Sequence, residues 1–581
     1  MRRTMKQIEQ IKKAMIQLLL VVCAISFSAC NLTKFVPEGE YLLNKANVKV
    51  EDTKDVAAAE LRNYLQQKQN TEISGFWKLQ LGIYNTASLD TAKWTSKNAR
   101  KIGEPPVIYS PDLTTRSMQQ LKYAMQNRGY FHAEVDTTIL VKNRKLNLTY
   151  NVVANHPYHI RRYEISFPQE ELQQVAENRR ATLVKEGMQF DSDVLNQERQ
   201  RVSKSMRNHG CFYFDEEFIR FVADSTKGKK QVDVKMCLQD FYYQLSPEEQ
   251  EKIFRHYTIS RVHFHMDYEV DRIPEGAKLH TSIVDGYEFT WVGDKLLREK
   301  VLIRNCPIRP GDEYNESFVD HAYSNLNRLA PVKYVDISFD PISATELDCH
   351  VVISRSKLNS VSVELEGTYS AGDWGIAMGA GYANRNLFRG AEEFTLDGRA
   401  SYEWRQNGGR AIEARAAMGL KFSNSIAIDL NYNYQNRPDE YARSIFNAGL
   451  QYQLRQHNLH LQHQFRILDI SYVYLPWISD AFRDQFLQST NILKYSYENH
   501  FIVGWGYSGN YSSFNNRRPY RSYSNVSYNI ETAGNLMYGL AEAFHFPTDE
   551  DGKYTLFNTR FAQFAKADIS YTYHQILNES H

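Results

Sequence analysis

The sequence predicts α+β repeat modules followed by an antiparallel β-barrel of the membrane type. Three observations predict it: two sets of aromatic and glycine positions recur 81 residues apart, alternation switches to period two after residue 357, and the N-terminus reads as an export signal. The 581 residues carry 69 Lys+Arg against 68 Asp+Glu, a net charge of +1 that gives no electrostatic reason to expect nucleic acid. With 42% hydrophobic and 24% charged residues, the bulk of the chain has a folding rather than a disordered composition. A mean hydropathy of −0.54 argues against a helical membrane bundle. It leaves a barrel open, because barrel strands are apolar only at alternate positions.

At the N-terminus, Arg2, Arg3, Lys6, Lys12 and Lys13 precede the apolar stretch Ile16 to Ile25. The stretch is short for a membrane span. It ends in Phe27-Ser28-Ala29-Cys30, which resembles a bacterial lipoprotein signal with Phe27 where Leu is usual. On this reading residues 1–29 are a signal peptide and Cys30 carries acyl chains, two or more of which give stable membrane attachment. Cys211, Cys237, Cys306 and Cys349 remain, with no Cys-x-x-Cys spacing to suggest a thiolate metal site. Cys211 and Cys237 fall on two predicted strands, which leaves open a cross-strand disulfide or, more simply, two buried free thiols.

Residues 30–357 read as three modules, each with a polar or glycine-containing turn, an aromatic, an amphipathic helix, an aromatic junction and two alternating strands. The first, 30–156, has Tyr109, a helix from Ser110 to Asn127, and Gly129-Tyr130-Phe131. The second, 157–243, has Gly187-Met188-Gln189-Phe190, a helix after Asp191, and Gly210-Cys211-Phe212. Tyr109 to Phe190 and Phe131 to Phe212 are both 81 residues, so the segments are duplicates. The third, 244–357, has Gly311-Asp312-Glu313-Tyr314, a helix after Asn315 and Val332-Lys333-Tyr334, at offsets of 124 and 122. That places an insertion within it, at Glu248 to Trp291.

These residues resemble the POTRA domain, whose pattern is Gly-x-x-Phe/Tyr, a helix, then Gly-Tyr-Phe and a hairpin. The stretch Thr33 to Leu43 is similar to the start of TamL-type lipoproteins of Bacteroidetes, within the BamA/TamA family. A module of this kind offers an exposed sheet edge that can accept an extended segment through backbone hydrogen bonds.

After Leu358 the aromatic fraction rises to about 17%, from about 10% before it. Val361, Val363, Leu365 and Tyr369 alternate with Ser362, Glu364, Glu366 and Thr368, and the same rule runs through Ile412–Leu420, Ile426–Tyr434, Phe446–Leu454, Phe501–Tyr511 and Ala567–Tyr573. Residues 358–581 therefore read as a barrel with Glu413, Arg415, Asp429, Asn431 and Gln453 on a wet inner face. Asn384-Arg385-Asn386-Leu387-Phe388-Arg389-Gly390 closely resembles the turn between the second and third strands of BamA/TamA barrels. Leu387 and Phe388 are expected to pack under this turn, with Glu392 and Glu393 solvated beside it.

The resemblance implies about 16 barrel strands, of which the sequence supplies about ten, and a late Arg-Gly loop motif that the last hundred residues lack. The barrel is therefore expected to be incomplete. The resemblance further implies an outer-membrane assembly or translocation factor with periplasmic POTRA modules. It would act on unfolded outer-membrane proteins, with a TamB-like partner and Val361 to Tyr369 as a gate edge. A dedicated two-partner-type secretion transporter and an inactive or scaffold fragment are the alternatives. No enzyme motif, catalytic residue, metal or cofactor is expected, since Gly-x-Ser-x-Gly, a phosphate loop and His-Glu-x-x-His are all missing. His263-x-His265-x-Asp267 puts three ligand-type residues on one strand face. Such neighbours stand ~7 Å apart, which favours a solvated face over a metal site.

Overall fold

The computed structural model describes residues 32–72, 78–88, 93–178, 180–226, 230–267, 278–370, 373–405, 409–422, 425–456, 461–484, 497–514, 522–549, 552–556 and 559–575. Two compact units emerge. One is Met1–Ser203, Asp215–Leu245 and Gln575–His581; the other is Lys204–Phe214 and Ser246–His574.

The first unit holds two sheets of the same design. Strands β1 (Leu42–Glu51), β2 (Glu134–Lys142) and β3 (Lys145–Val153) are ordered β1-β3-β2, with β1 parallel and β2 antiparallel to β3. A parallel pair needs a crossover, and helix α1 (Pro111–Asn127) lies within it. Ser110 caps α1 by accepting from Leu113 N, and Pro111 sits in the first turn where its missing N–H costs nothing. Leu121, Ala124 and Met125 pack on Leu146, Leu148, Tyr150 and Val152. The second sheet, β4 (His159–Ile165), β5 (Ile219–Asp224) and β6 (Gln231–Leu238), is ordered β4-β6-β5. Its core joins Ile160, Val232 and Val234 to Phe190 and to Leu195 of helix α2 (Ser192–Arg207).

The second unit contains a five-stranded sheet, β7 (Thr258–Met266), β8 (Leu279–Val284), β9 (Tyr287–Val292), β10 (Val332–Pro341) and β11 (Glu346–Arg355), ordered β10-β11-β7-β9-β8. Its β7-β11-β10 part repeats the earlier order, and β8-β9 extend it. The insertion expected at Glu248 to Trp291 is thus corrected: β7 inside that range is the module's own first strand, and the added hairpin follows it. Sequence alternation shows the last two strands of each module because they are adjacent. The first strand reaches its partner only through a long crossover. Helices α3 (Glu299–Asn305) and α4 (Glu316–Asn327) cover the core face through Leu302, Ala322 and Leu326.

The remaining strands form one sheet: β12 (Asn359–Ser370), β13 (Asp373–Asn384), β14 (Glu393–Trp404), β15 (Arg410–Lys421), β16 (Ile426–Arg437), β17 (Tyr441–Gln456), β18 (Leu461–Ile478), β19 (His500–Ser512), β20 (Tyr523–Ala533) and β23 (Phe564–His574). They pair in that order, each antiparallel to the next, while the short β21 (Thr555–Leu556) and β22 (Thr559–Phe561) attach beside β19 and bring the sheet to 12 strands. Register sets one face against the other. Val361, Tyr382, Leu396, Met418, Leu430, Ala448 and Ile470 lie in one row across seven strands. The next row is Ser362, Gly381, Asp397, Ala417, Asn431, Asn447 and Ser471. On the polar face Arg399 meets Glu366 at 2.5 Å, Asn433 meets Glu413 at 2.8 Å, Gln451 meets Asp429 at 2.6 Å, and Arg466 meets Asn529 at 2.7 Å. The longest connections, 479–499 and 534–563, both leave the sheet end opposite the start of β12.

Gly129 has φ +86° and an added Cβ would lie 2.7 Å from Phe190 O, whereas Gly187, at φ +85°, has open space around it. Gly129→Ala is therefore expected to destabilise the first unit by about 2 kcal/mol and Gly187→Ala by about 1 kcal/mol. Denaturant midpoints from hydrogen exchange of the β3 amides check this, and equal effects would count against steric crowding at Gly129.

Candidate functional site

The recurring positions turn out to be joints. Gly129 O accepts from Tyr158 N at 2.9 Å, Phe190 N donates to Tyr158 O at 2.9 Å, and Gly187 N donates to Ile160 O at 2.7 Å. The rings of Phe131 and Phe190 stand 5.1 Å apart. In the second unit Gly210 O accepts from Tyr257 N at 3.0 Å, Tyr314 N donates to Tyr257 O at 2.8 Å, and Gly311 N donates to Ile259 O at 2.6 Å. Phe212 and Tyr314 meet edge to face at 5.0 Å. The same bonds recur on the same repeat positions. The 81-residue period therefore records the docking of a Gly-x-Phe junction onto the Gly-x-x-aromatic turn of the segment that follows. Tyr109 has the backbone half of this arrangement, donating from N to Tyr41 O at 2.9 Å.

A different joint ties the five-stranded sheet's module to the barrel sheet, and it is built on the turn Asn384 to Gly390. Asn384 Oδ1 accepts from Asn386 N at 2.9 Å, and Asn384 Nδ2 donates to Asn359 Oδ1 at 2.8 Å. Arg385 binds back through N to Leu358 O and through Nη1 to Lys357 O. Asn386 Nδ2 donates to Leu296 O at 2.6 Å, while its Oδ1 accepts from Ala391 N. Glu392, only 7% exposed, closes the joint: Oε1 accepts from Arg298 Nη2 at 3.1 Å, and Oε2 accepts from Gly390 N at 2.8 Å and Phe388 N at 3.3 Å. Arg298 N also donates to Arg389 O at 2.9 Å. A buried carboxylate that accepts from this many donors fixes the turn against the loop before α3.

Two expectations need correcting. Leu387 and Phe388 are 39% and 58% exposed, so they do not pack under the turn; Asn386, Ala391 and Glu392 occupy its interior. Glu392 is not a solvated carboxylate. The partner that Glu392 finds outside the turn is Arg298, 94 residues away. The sequence showed the Asn-Arg-Asn-Leu-Phe-x-Gly turn but not Leu296, Arg298 or Asn359.

Among the other residues singled out, Cys30 lies outside the described residues. Cys211, Cys237, Cys306 and Cys349 are free thiols. Cys211 sits in the turn after α2 rather than on a strand, since β5 begins only at Ile219. His263, His265 and Asp267 do not form a solvated face: His265 and Asp267's carboxylate are largely enclosed, and Asp267 pairs with Arg355 at 2.5 Å. Val361 to Tyr369 lies in β12, an end strand of the barrel sheet, with Val361, Val363 and Leu365 strongly exposed.

Residues 45–155 match the POTRA family, described as a surface antigen variable number repeat. The match falls within the first module. No curated protein matches the chain. Among solved structures, BamA POTRA3-5 of Haemophilus influenzae is 13% identical at a TM-score of 0.28, over 55% of this chain and 99% of that one. BamA from Haemophilus ducreyi lacking POTRA domains 1-3 is 12% identical at 0.36, over 65% and 66% of the two chains. CdiB from Acinetobacter baumannii is 13% identical at 0.32, over 65% and 62%. The chain thus spans slightly less than two thirds of the last two.

Gly390 leaves no room for a side chain, since a Cβ there would lie 2.1 Å from Glu392 Oε1. Glu392→Ala, which strands the Phe388 and Gly390 amides and Arg298, is expected to cost about 2–3 kcal/mol. In a double-mutant cycle with Arg298→Ala the coupling should be about 1 kcal/mol. Thermal unfolding and exchange of the 385–393 amides measure both, and additive losses would show that the ion pair is incidental.

Proposed function

We propose that this protein is an outer-membrane protein assembly or translocation factor of the BamA/TamA type, non-catalytic, with its α+β modules in the periplasm. The observation that carries the reading is the latch at Glu392. It joins a module of POTRA topology directly to a long antiparallel sheet with one apolar and one polar face. A sheet so divided suits a wall between lipid and water. Its end strands β12 and β23 each have a single strand neighbour on the path among the described residues. Hydrocarbon does not tolerate unpaired strand edges, so on this reading β12 and β23 are the strands at which the wall must find partners.

The modules supply the receiving surface. In the first, β2 is an edge strand with Ile139, Leu140 and Val141 exposed, which suits addition of an extended client strand. The finer reading is a TamL-type lipoprotein of Bacteroidetes. It has a signal at 1–29, an acylated Cys30, modules at 30–156, 157–243 and 244–357, and a barrel from 358. The Asn384–Gly390 turn organises the barrel, β12 is the gate edge, and a TamB-like protein is the periplasmic partner. It is supported by the POTRA match and by the residue patterns at Phe27–Cys30, Thr33–Leu43 and Asn384–Gly390.

Depleting the protein and measuring the outer-membrane proteome tests the function: broad loss of β-rich proteins is expected. Loss of a single cargo would replace this reading with dedicated secretion, and an unchanged proteome would overturn it. Lipidation is separable. Cys30→Ala should abolish labelling by a fatty-acid analogue, and persistent labelling would move the anchor elsewhere.

A further inference from the structure

The face of the five-stranded sheet turned away from its apolar core carries a cluster that neither the joints nor the latch use. Arg261, His263 and His265 alternate along β7 with the core residues Val262, Phe264 and Met266, and Asp267 follows at its end. In register, His350 on β11 lies beside His263, and Thr290 on β9 beside His265. His265 Nδ1 is 2.9 Å from Thr290 Oγ1, and its Nε2 is 3.0 Å from His350 Nδ1. His350 Nε2 is 3.4 Å from Asp340 Oδ2 on β10. Thr290, His265, His350 and Asp340 thus form one polar chain across four strands. Hydration is uneven along it: Thr290 and His265 are 8% and 7% exposed, whereas the Asp340 side chain at the far end is 72% exposed.

Two tautomers satisfy this chain, and in either the His265–His350 contact holds a single proton. With the Thr290 hydroxyl donating to Phe264 O at 3.3 Å, its oxygen accepts from His265 Nδ1–H. A neutral imidazole has one donor and one acceptor nitrogen, so His265 Nε2 accepts and His350 Nδ1–H donates. His350 Nε2 is left facing Asp340. The His265 and His350 centroids are 5.3 Å apart with planes 16° apart, the arrangement of near-coplanar rings meeting end to end. Their nitrogens point at each other and do not converge on a third point, which is a hydrogen bond and not a metal bite.

We propose that this chain is an acid-released clasp between β7 and β11. A first proton can go to His350 Nε2, where Asp340 faces it. A second, on His265 Nε2, would set two N–H groups head to head across the 3.0 Å contact and force the strands' outer face apart. His263 adds to the effect, since its ring lies 4.8 Å from His350 and between Glu288, 3.1 Å from Nδ1, and Asp348, 3.5 Å from Nε2. The other charges on this face are Arg261, 2.6 Å from Asp348, the Asp267–Arg355 pair, and Asp336, in register through Val352. From β8, Thr281 and Ile283 are uncharged.

Burial, then the neighbouring His350 and His263, hold His265 down at about 4, and burial followed by His263 also lowers His350. An unfolded histidine titrates near 6.5, so the unfolded chain binds more protons than the folded one between about pH 6.5 and 4. Stability conferred by the clasp is full above that window and is lost as pH falls through it. Because β11 ends at Arg355 and β12 begins at Asn359, release loosens the strand that leads into the barrel sheet.

Hydrogen exchange on the full chain in detergent, corrected for intrinsic rates, tests the clasp. From pH 7.5 to pH 4.5 the β7 and β11 amides should lose about tenfold protection relative to β14 and β15. His350→Gln, whose amide can accept from a protonated His265, should retain that protection. Unchanged protection in the unaltered chain, or the same acid loss in His350→Gln, overturns the proposal. Should the variant not fold, NMR titration of the unaltered chain decides: His265 resisting protonation while His350 titrates supports the clasp, and both titrating independently near 6.5 removes it.

Discussion

The need to pair every backbone amide and carbonyl where water cannot reach governs this chain. In the barrel sheet it is met by the simplest topology available, each strand hydrogen-bonded to its sequence neighbours from β12 to β20 and on to β23. The ladder from β12 to β17 runs without a register shift, so one parity of side chains stays apolar and the other polar, and the bulge in β18 exchanges the two parities there. The constraint also explains the polar face. Arg399, Asn433, Gln451 and Arg466 find partners on neighbouring strands, so charges there are stitched laterally rather than left to a core.

The modules meet the same requirement differently. Each has a first strand parallel to its last, with a helix in the crossover to cover the apolar face. What joins one segment to the next is again backbone pairing, at Gly129–Tyr158 and Gly210–Tyr257, fastened by aromatic contacts of Phe131 with Tyr158 and Phe190 and of Phe212 with Tyr257 and Tyr314. Of the joint glycines, Gly129 is required by close approach of the Phe190 backbone, whereas Gly187 and Gly311 have open space and are required by their positive φ. Where the last module meets the barrel sheet, backbone pairing gives way to a buried carboxylate. Glu392 gathers two turn amides and Arg298, a charged and geometrically specific link in place of a ladder.

The histidine chain shows that a sheet face need not be solvated to be polar. Its members satisfy one another through alternating donors and acceptors, which makes the face stable only for certain proton counts. Arg261, paired with Asp348, and the Asp267–Arg355 pair border it.

Periodicity alone determined the two-part architecture, the helices after Ser110, Asp191 and Asn315, and the barrel strands. These depend on neighbours within a few residues or on alternation along one strand. The spacing of Phe131, Phe190, Phe212 and Tyr314 revealed duplication, but only the folded chain showed that these residues are the joints themselves. Tertiary structure alone decided the leading strands β1, β4 and β7, the pairing of Glu392 with Arg298, and the meeting of His265 with His350. Each of these pairs residues that are tens of positions apart. Local sequence carries propensity and pattern, whereas burial and proton position depend on which strands become neighbours.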